Sequence, residues 1–288
     1  MLNYNSPIEI RRTVEQLGLR LQKRWGQNFL INQGARRQIV SLVNPGAQET
    51  IWEIGPGLGT LTVALLPEVR SLLAFEIDRG LIRYLKDTFA DRNNFHLVEG
   101  DVLKTWRSQY SRTDPPDKIV GNLPYSSASA LIGALAENRV CAKRLVFTVQ
   151  RELAQRMNAV PGKKSYSSFS VLCQVVYRIT QPMQLKPGSF YPRPEVHSSV
   201  VLLEPHPEVS RIPQWDFFLR CLRTLFRSRR KTMRNNLLAG GLIPPIRVEQ
   251  LDRLFEELGI DPGIRSERLS PQELLRFSRR LQSELEDL

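Results

Sequence analysis

An α/β fold, a parallel sheet followed by a small all-helical domain, is predicted by three features of this 288-residue sequence. Between about 50 and 150, short apolar runs alternate with helical patterns, which implies parallel strands joined by right-handed crossovers. A glycine turn, Gly55-Pro56-Gly57-Leu58-Gly59, follows the first of those runs directly. Glycine is needed where the backbone turns with φ > 0 or where a ligand touches the main chain. After Pro205 and Pro207 the strand signal stops and only helical periodicity remains.

Residues 1–20, an N-terminal extension, mix polarities and read as a helix or an arm. The run LQKRWGQNFL at 21–30 is distinctive: Asn28 offers an amide to a carboxylate, and Phe29 and Leu30 can pack over a ligand. A helix is expected over 32–43, with Ile39, Val40 and Val43 on one side, ended by Asn44-Pro45-Gly46. Strands are expected near 50–54, 71–76, 95–99, 117–121 and 144–150, with helices near 59–66, 79–90, 126–137 and 151–157. A helix over 167–176 precedes two strands of an antiparallel pair, 175–184 and 197–203. The loop between them, Pro187-Gly188-Ser189-Phe190-Tyr191-Pro192-Arg193-Pro194, is stiffened by three prolines. Helices then follow over 216–238, 247–258 and 271–285, so the domain boundaries are 1–20, 21–205 and 206–288.

The chain carries 41 Lys and Arg against 29 Asp and Glu, a net charge of +12. That excess favours a polyanionic partner over a membrane surface, because no long amphipathic helix accompanies it. No stretch approaches the roughly 18 apolar residues of a membrane span, and the first residues lack the apolar core of a signal peptide. Cys141, Cys173 and Cys221 are widely separated in apolar or helical surroundings, and the three histidines show no metal-ligand spacing. A cytoplasmic, metal-free protein is expected.

Ligands of such sheets bind at the carboxyl ends of the strands. Glu76 lies about 20 residues past the first glycine, the spacing at which a carboxylate reaches ribose hydroxyls. Alone, the glycine turn is equally compatible with a plain tight turn. The G-x-G-x-G spacing differs from the dinucleotide fingerprint, and no Arg or Lys sits in the turn to meet phosphates. With Asp101 after the third strand and Asn122-Leu123-Pro124-Tyr125 after the fourth, the ordered set suits S-adenosylmethionine better.

The tetrad carries the chemistry. An exocyclic adenine amine is a poor nucleophile, since its lone pair is delocalised into the ring. Accepting both N–H bonds, at the Asn122 amide oxygen and a backbone carbonyl beside Pro124, favours a pyramidal nitrogen with its lone pair directed outward. Tyr125 can stack on a flipped base, with Phe190 as an opposite wall; Tyr191 reads better as a hydrophobic anchor. Arg220, Arg223, Arg227, Arg229, Arg230, Lys231 and Arg234 make seven cations in fifteen residues with no acid among them. On one helix, 223, 227, 230 and 234 share a face, which points to phosphate contact.

Together these motifs resemble the rRNA adenine N6-dimethyltransferases of the small ribosomal subunit (dimethyladenosine transferases). The matching residues are GQNFL at 26–30, EIGPGLGTLT at 53–62, FEID at 75–78, Gly100-Asp101 and GNLPY at 121–125, followed by FYPRPEVHSSV at 190–200, LFRSRRKTMRNNL at 225–237 and RSERLSPQE at 265–273. The resemblance implies a Rossmann-like methyltransferase core and a helical RNA-binding domain. It implies transfer of two methyls to each of two adjacent adenosines in a hairpin loop near the 3′ end of small-subunit (16S) rRNA, by a monomer acting on the assembling 30S subunit. It also implies cofactor contacts from Asn28, Leu30, Gly55, Glu76, Asp101 and Asn122. The chain departs mainly in its extended N-terminus. The macrolide-resistance methyltransferases of the large subunit share the earlier motifs. DNA adenine enzymes more often carry an acid where Asn122 stands, and a non-catalytic assembly factor would not require Glu76, Asp101 and Asn122 together.

Overall fold

Side chains that satisfy backbone ends set the first elements. In the computed structural model, which describes residues 2–18, 28–112, 115–243 and 248–286, helix α1 (Pro7–Gln16) starts at Ser6. The Ser6 hydroxyl accepts from the Glu9 N–H at 3.3 Å, and Pro7 occupies the first turn. The run 21–27 and the expected helix start at 247 lie outside the described residues. Strand β1 (Phe29–Leu30) is followed by α2 (Gln33–Val43), capped by Asn32 on Ala35 N–H at 2.8 Å. Asn44, at φ 51°, closes α2 in the left-handed conformation that asparagine tolerates.

The alternating region forms β2 (Thr50–Ile54), α3 (Thr62–Leu65), β3 (Ser71–Glu76), α4 (Arg79–Thr88), β4 (Phe95–Glu99), α5 (Val102–Arg112), β5 (Lys118–Asn122), α6 (Ala128–Glu137), β6 (Arg144–Gln150) and α7 (Arg151–Met157). Each expected strand is present within a residue. Helix α5 was not foreseen: its apolar pattern is weak, resting on Trp106, which is 2% exposed. Beyond it come α8 (Ser168–Val176), β7 (Tyr177–Leu185), β8 (Phe190–Tyr191) and β9 (Ser198–Pro205). The main sheet runs β4-β3-β2-β5-β6-β9-β7, with β2, β3, β4, β5 and β6 parallel and β9 antiparallel to β6. Its central strands are apolar on both faces because helices cover both, and Ile51, Leu72, Val120 and Leu145 are fully buried. Gly121 lets two strands approach, for a Cβ there would meet the Ile54 carbonyl oxygen at 2.6 Å.

Two compact units result. One comprises Met1–Leu135, Val140–Ala154 and Arg178–Pro205 and holds the sheet. The other comprises Ala136–Arg139, Gln155–Tyr177 and His206–Leu288, so it includes α8 as well as the C-terminal helices. Those helices are α9 (Trp215–Leu225), α10 (Met233–Ala239), α11 (Val248–Leu258) and α12 (Pro271–Glu286). Their core joins Trp215, Phe218, Cys221, Phe255 and Phe277, with the Phe255 and Phe277 rings 5.3 Å apart.

The single helix expected over 216–238 is two helices. Asn236, 2% exposed, donates to the carbonyls of Leu225 at 2.9 Å and Ser228 at 3.0 Å, and Ser266 donates to Leu225 at 2.9 Å. These bonds hold the carbonyls at the end of α9, and the Thr232 side chain starts α10 by accepting from Asn235 N–H.

Candidate active site

At the carboxyl ends of β2, β3 and β5 lies a cavity of about 270 Å³. Gly55, Gly57 and Gly59 have φ of 66°, 61° and 84°, a region that strongly favours glycine. A Cβ at Gly57 would also come within 3.1 Å of the Phe29 ring. The turn therefore brings main-chain atoms to the cavity wall.

Glu76 ends β3 at this wall. Its Oε1 accepts from the N–H groups of Ile77 at 2.9 Å and Asp78 at 3.0 Å, and its Oε2 from Gly57 at 3.2 Å. Burial pushes its carboxyl up to about 7, against those N–H bonds. A carboxylate offers about four acceptor sites, so one remains for a ribose hydroxyl rather than two. Glu53, at 1% exposure, also lines the cavity, and its Oε2 accepts from Thr62 Oγ1 at 2.7 Å. Burial pushes Glu53 up to about 7, with the Thr62 hydroxyl opposing and neighbouring Glu76 adding to the rise. Asp101 Oδ1 accepts from Leu103 N–H at 3.0 Å, starting α5, while the residue faces the cavity beside Ile77, Val102 and Leu103.

Asn122 ends β5 and donates from Nδ2 to the Asn28 carbonyl at 2.6 Å. That bond assigns the amide: its nitrogen is engaged and its oxygen is the end left to accept. Leu123 and Pro124 line the same cavity, with Leu30 and Gly55. The structure thus gathers Asn28, Leu30, Gly55, Glu76, Asp101, Asn122, Leu123 and Pro124 around one space. The apolar Phe29, Leu61, Ile77, Val102 and Leu103, with the orienting polar groups, fit a nucleoside bearing a flexible charged tail.

The aromatic pair departs from expectation. Phe190 is 1% exposed within the core cluster that contains Leu30, so it presents no open wall to a base. The reason is local: β8 pairs with β1, setting Leu30 against Phe190 and Phe29 against Tyr191. Tyr191 packs, as an anchor should, on the cluster containing Phe29. Tyr125 is half-buried and outside the cavity lining, and its hydroxyl lies 2.7 Å from Ser198 Oγ.

Comparison with known proteins decides the family. The family model described as ribosomal RNA adenine dimethylase matches residues 18–282. The chain belongs to this family. Ribosomal RNA small subunit methyltransferase A of Treponema denticola is 37% identical over 278 residues, 96% of this chain and 94% of that protein. The protein of the same name from Syntrophotalea carbinolica is 39% identical over 267 residues, covering 91% and 97%. Among solved structures, a dimethyladenosine transferase from Plasmodium falciparum superposes with a TM-score of 0.75 at 27% identity, over 88% of this chain and 97% of that one. The 23S rRNA methyltransferase ErmE shares the fold, with a TM-score of 0.62 at 20% identity over 88% of this chain and 100% of that one. As an adenine dimethylase, this protein is a methyltransferase that depends on S-adenosylmethionine.

The dimethylase's basic segment differs from the expected helical face. Because α9 stops at Leu225, residues 223, 227, 230 and 234 do not share one helix. Acids from elsewhere in the helical unit meet three of the cations: Arg223 pairs with Glu137 at 2.7 Å, Arg229 with Glu267 at 2.8 Å and Arg234 with Asp252 at 2.6 Å. Arg227, Arg230 and Lys231 are exposed and form no ion pair among the described residues. Arg229 also donates to the Lys164 carbonyl at 2.7 Å, and Gly162 N–H to the Glu267 carbonyl at 2.7 Å. These bonds bring exposed Lys163, Lys164, Arg265 and Arg268 to the Arg230–Lys231 turn. The sequence reading missed those four, although the Lys163-Lys164 pair after Pro161-Gly162 was a turn signal. Among the described residues, no group of three or more His, Cys, Asp or Glu is placed to hold a metal ion. No described helix is long and apolar enough to cross a membrane.

Proposed function

We propose that this dimethylase methylates the N6 amines of two adjacent adenosines in a hairpin loop near the 3′ end of small-subunit rRNA, twice each. The small subunit as substrate is supported by the relatives, which are named for it over nearly their whole length. The observation that carries the chemistry is the Asn122–Asn28 bond, which leaves the Asn122 oxygen to accept. S-adenosylmethionine supplies an electrophilic methyl group when bound. Glu76 and Asp101 would hold its nucleoside end, and Asn28 and Leu30 its amino-acid end. Asn122 Oδ1 and a backbone carbonyl of the Leu123–Pro124 turn accept the N–H bonds of the target amine. Those bonds favour a pyramidal nitrogen whose lone pair is free to attack. The nitrogen gains the methyl carbon as that carbon's bond to sulfur breaks, and then releases one proton to water. Tyr125 covers one face of the flipped base; Phe190 supports Leu30 from beneath rather than stacking.

The helical unit would grip RNA phosphates through Lys163, Lys164, Arg227, Arg230, Lys231, Arg265 and Arg268. The ion-paired Arg223, Arg229 and Arg234 shape that surface. The protein acts as a monomer in the cytoplasm, on the assembling small subunit. The test is methylation of purified, unmethylated small subunits with labelled cofactor and mapping of the modified bases. Dimethyladenosine at two adjacent positions of the hairpin is expected; labelling of large subunits only, or none, overturns the reading.

A further inference from the structure

Residues 2–17 precede the family match, which begins at residue 18, and the chemistry above makes no use of them. Yet they pack directly behind residues that line the cavity. Ile10 and Val14, on one side of α1, are 0% and 4% exposed and pack in a cluster with Tyr4, Phe29, Leu58 and Leu81. Phe29 and Leu81 are also cavity-lining residues, so α1 covers the outer side of what the ligand would touch on the inner side.

Polar contacts fix the same segment in place. Asn5 Oδ1 accepts from Arg36 Nη2 at 2.6 Å, and the Arg36 guanidinium lies 5.7 Å from the centroid of the Tyr4 ring. The Tyr4 hydroxyl reaches the glycine turn itself, 3.5 Å from where a Cβ on Gly59 would stand. Burial raises the Tyr4 pKa, with Tyr84 and then Glu53 adding to the rise.

We propose that the N-terminal segment is a positioning element of the cofactor site: it holds Phe29 against Gly57 and thereby fixes the shape of the cavity before the ligand arrives. The proposal rests on the cofactor reading above. Its physical basis is preorganisation, since a wall already packed loses little side-chain freedom on binding. A helix that merely stabilised the fold would alter melting but leave cofactor affinity alone in the folded protein.

The experiment uses full-length protein and calorimetry with S-adenosylmethionine and S-adenosylhomocysteine. Ile10→Ala/Val14→Ala is compared with Leu274→Ala, a buried residue of the helical unit, at a temperature where circular dichroism shows both folded. Cofactor Kd should rise about threefold to tenfold in the N-terminal variant, with RNA affinity unchanged and the Leu274→Ala protein binding as wild type. Volume-conserving Ile10→Leu should bind as wild type does. A folded double variant with wild-type Kd, or an equal loss in Leu274→Ala, overturns the proposal. If the double variant does not fold, Ile10→Val decides at about a twofold rise, and wild-type affinity there overturns it equally. Wild-type protein that bound neither ligand would instead refute the cofactor reading, and this proposal with it.

Discussion

The side-chain nitrogen of Asn122 donates to the main-chain carbonyl of Asn28 at 2.6 Å, joining residues 94 positions apart. The end of a central strand is thereby tied to the segment that leads into β1. A preorganised acceptor results, because the amide cannot flip without losing that bond.

Asn122→Ala should lower the methylation rate by about 10²–10³ while leaving RNA affinity nearly unchanged. Single-turnover kinetics with a separate RNA-binding measurement checks this. Full activity in Asn122→Ala would reject the mechanism.

Glu76→Ala should weaken S-adenosylmethionine binding by at least about tenfold, the loss of one charge-assisted hydrogen bond of roughly 1.5–3 kcal/mol. Part of the effect is indirect, since the Gly57 N–H loses its partner at 3.2 Å. Asp101→Asn should also bind more weakly. Calorimetry that showed wild-type affinity in either protein would remove that residue from the cofactor site.

The buried carboxyls of Glu53 and Glu76 set a pH dependence. Both are pushed from 4.5 up to about 7, so over that window the folded protein holds protons that the unfolded chain has released. Stability of the ligand-free protein therefore falls as pH rises through the window, by on the order of 1–3 kcal/mol. Glu49, held low by Lys118 and Lys143, and Asp117, held low by the Thr50 N–H and then Lys143, both despite partial burial, act in the opposite sense only at more acidic pH. Thermal melts between pH 5 and 8 should show the decline, and Glu53→Gln should flatten it. A melting temperature that climbed over this range would contradict the burial argument.

What the sequence showed and what it hid follow from the range of the interactions. The glycine turn follows β2 directly, and Asp78 and Asn32 cap N–H groups only two or three residues on, so the turn and those helix starts were readable in order. The break after Leu225 depends on Asn236 and Ser266, and the latter is 41 residues distant, so helical periodicity ran straight through it. The same limit applied to the cations: no acid lies within the basic segment, but Glu137, Asp252 and Glu267 are supplied from elsewhere. Phe190 read as the opposite wall of a base pocket because it sits in a loop stiffened by prolines; pairing of β8 with β1 buried it.

The corrected basic surface changes which variants should lose RNA. Replacing Lys163, Lys164, Arg230 and Lys231 with Ala should weaken small-subunit binding and reduce the salt slope by up to about 3.6, at roughly 0.7–0.9 per phosphate contact. Cofactor affinity should not change. Arg234→Ala should instead lower stability modestly, since it breaks a bidentate pair with Asp252 at 2.6 and 2.9 Å on a partly exposed surface. A salt slope unaltered by the quadruple variant would make this surface ordinary solvated exterior.

Tyr125 separates two roles that its position combines. Its hydroxyl is 2.7 Å from Ser198 Oγ, which anchors the ring, while the ring itself is what would cover a flipped base. Tyr125→Phe removes the anchor and keeps the ring; Tyr125→Ala removes both. Unmethylated adenine presents two N–H groups to the acceptors and monomethyladenine only one, so the second transfer depends more on stacking, worth roughly 1–3 kcal/mol per base. Tyr125→Phe should therefore keep the wild-type product ratio. Tyr125→Ala should accumulate monomethyladenine, as mass spectrometry of digested RNA would reveal. Equal slowing of both transfers in Tyr125→Ala would reject the asymmetry, and accumulation in Tyr125→Phe would shift the role from the ring to its hydrogen bond with Ser198.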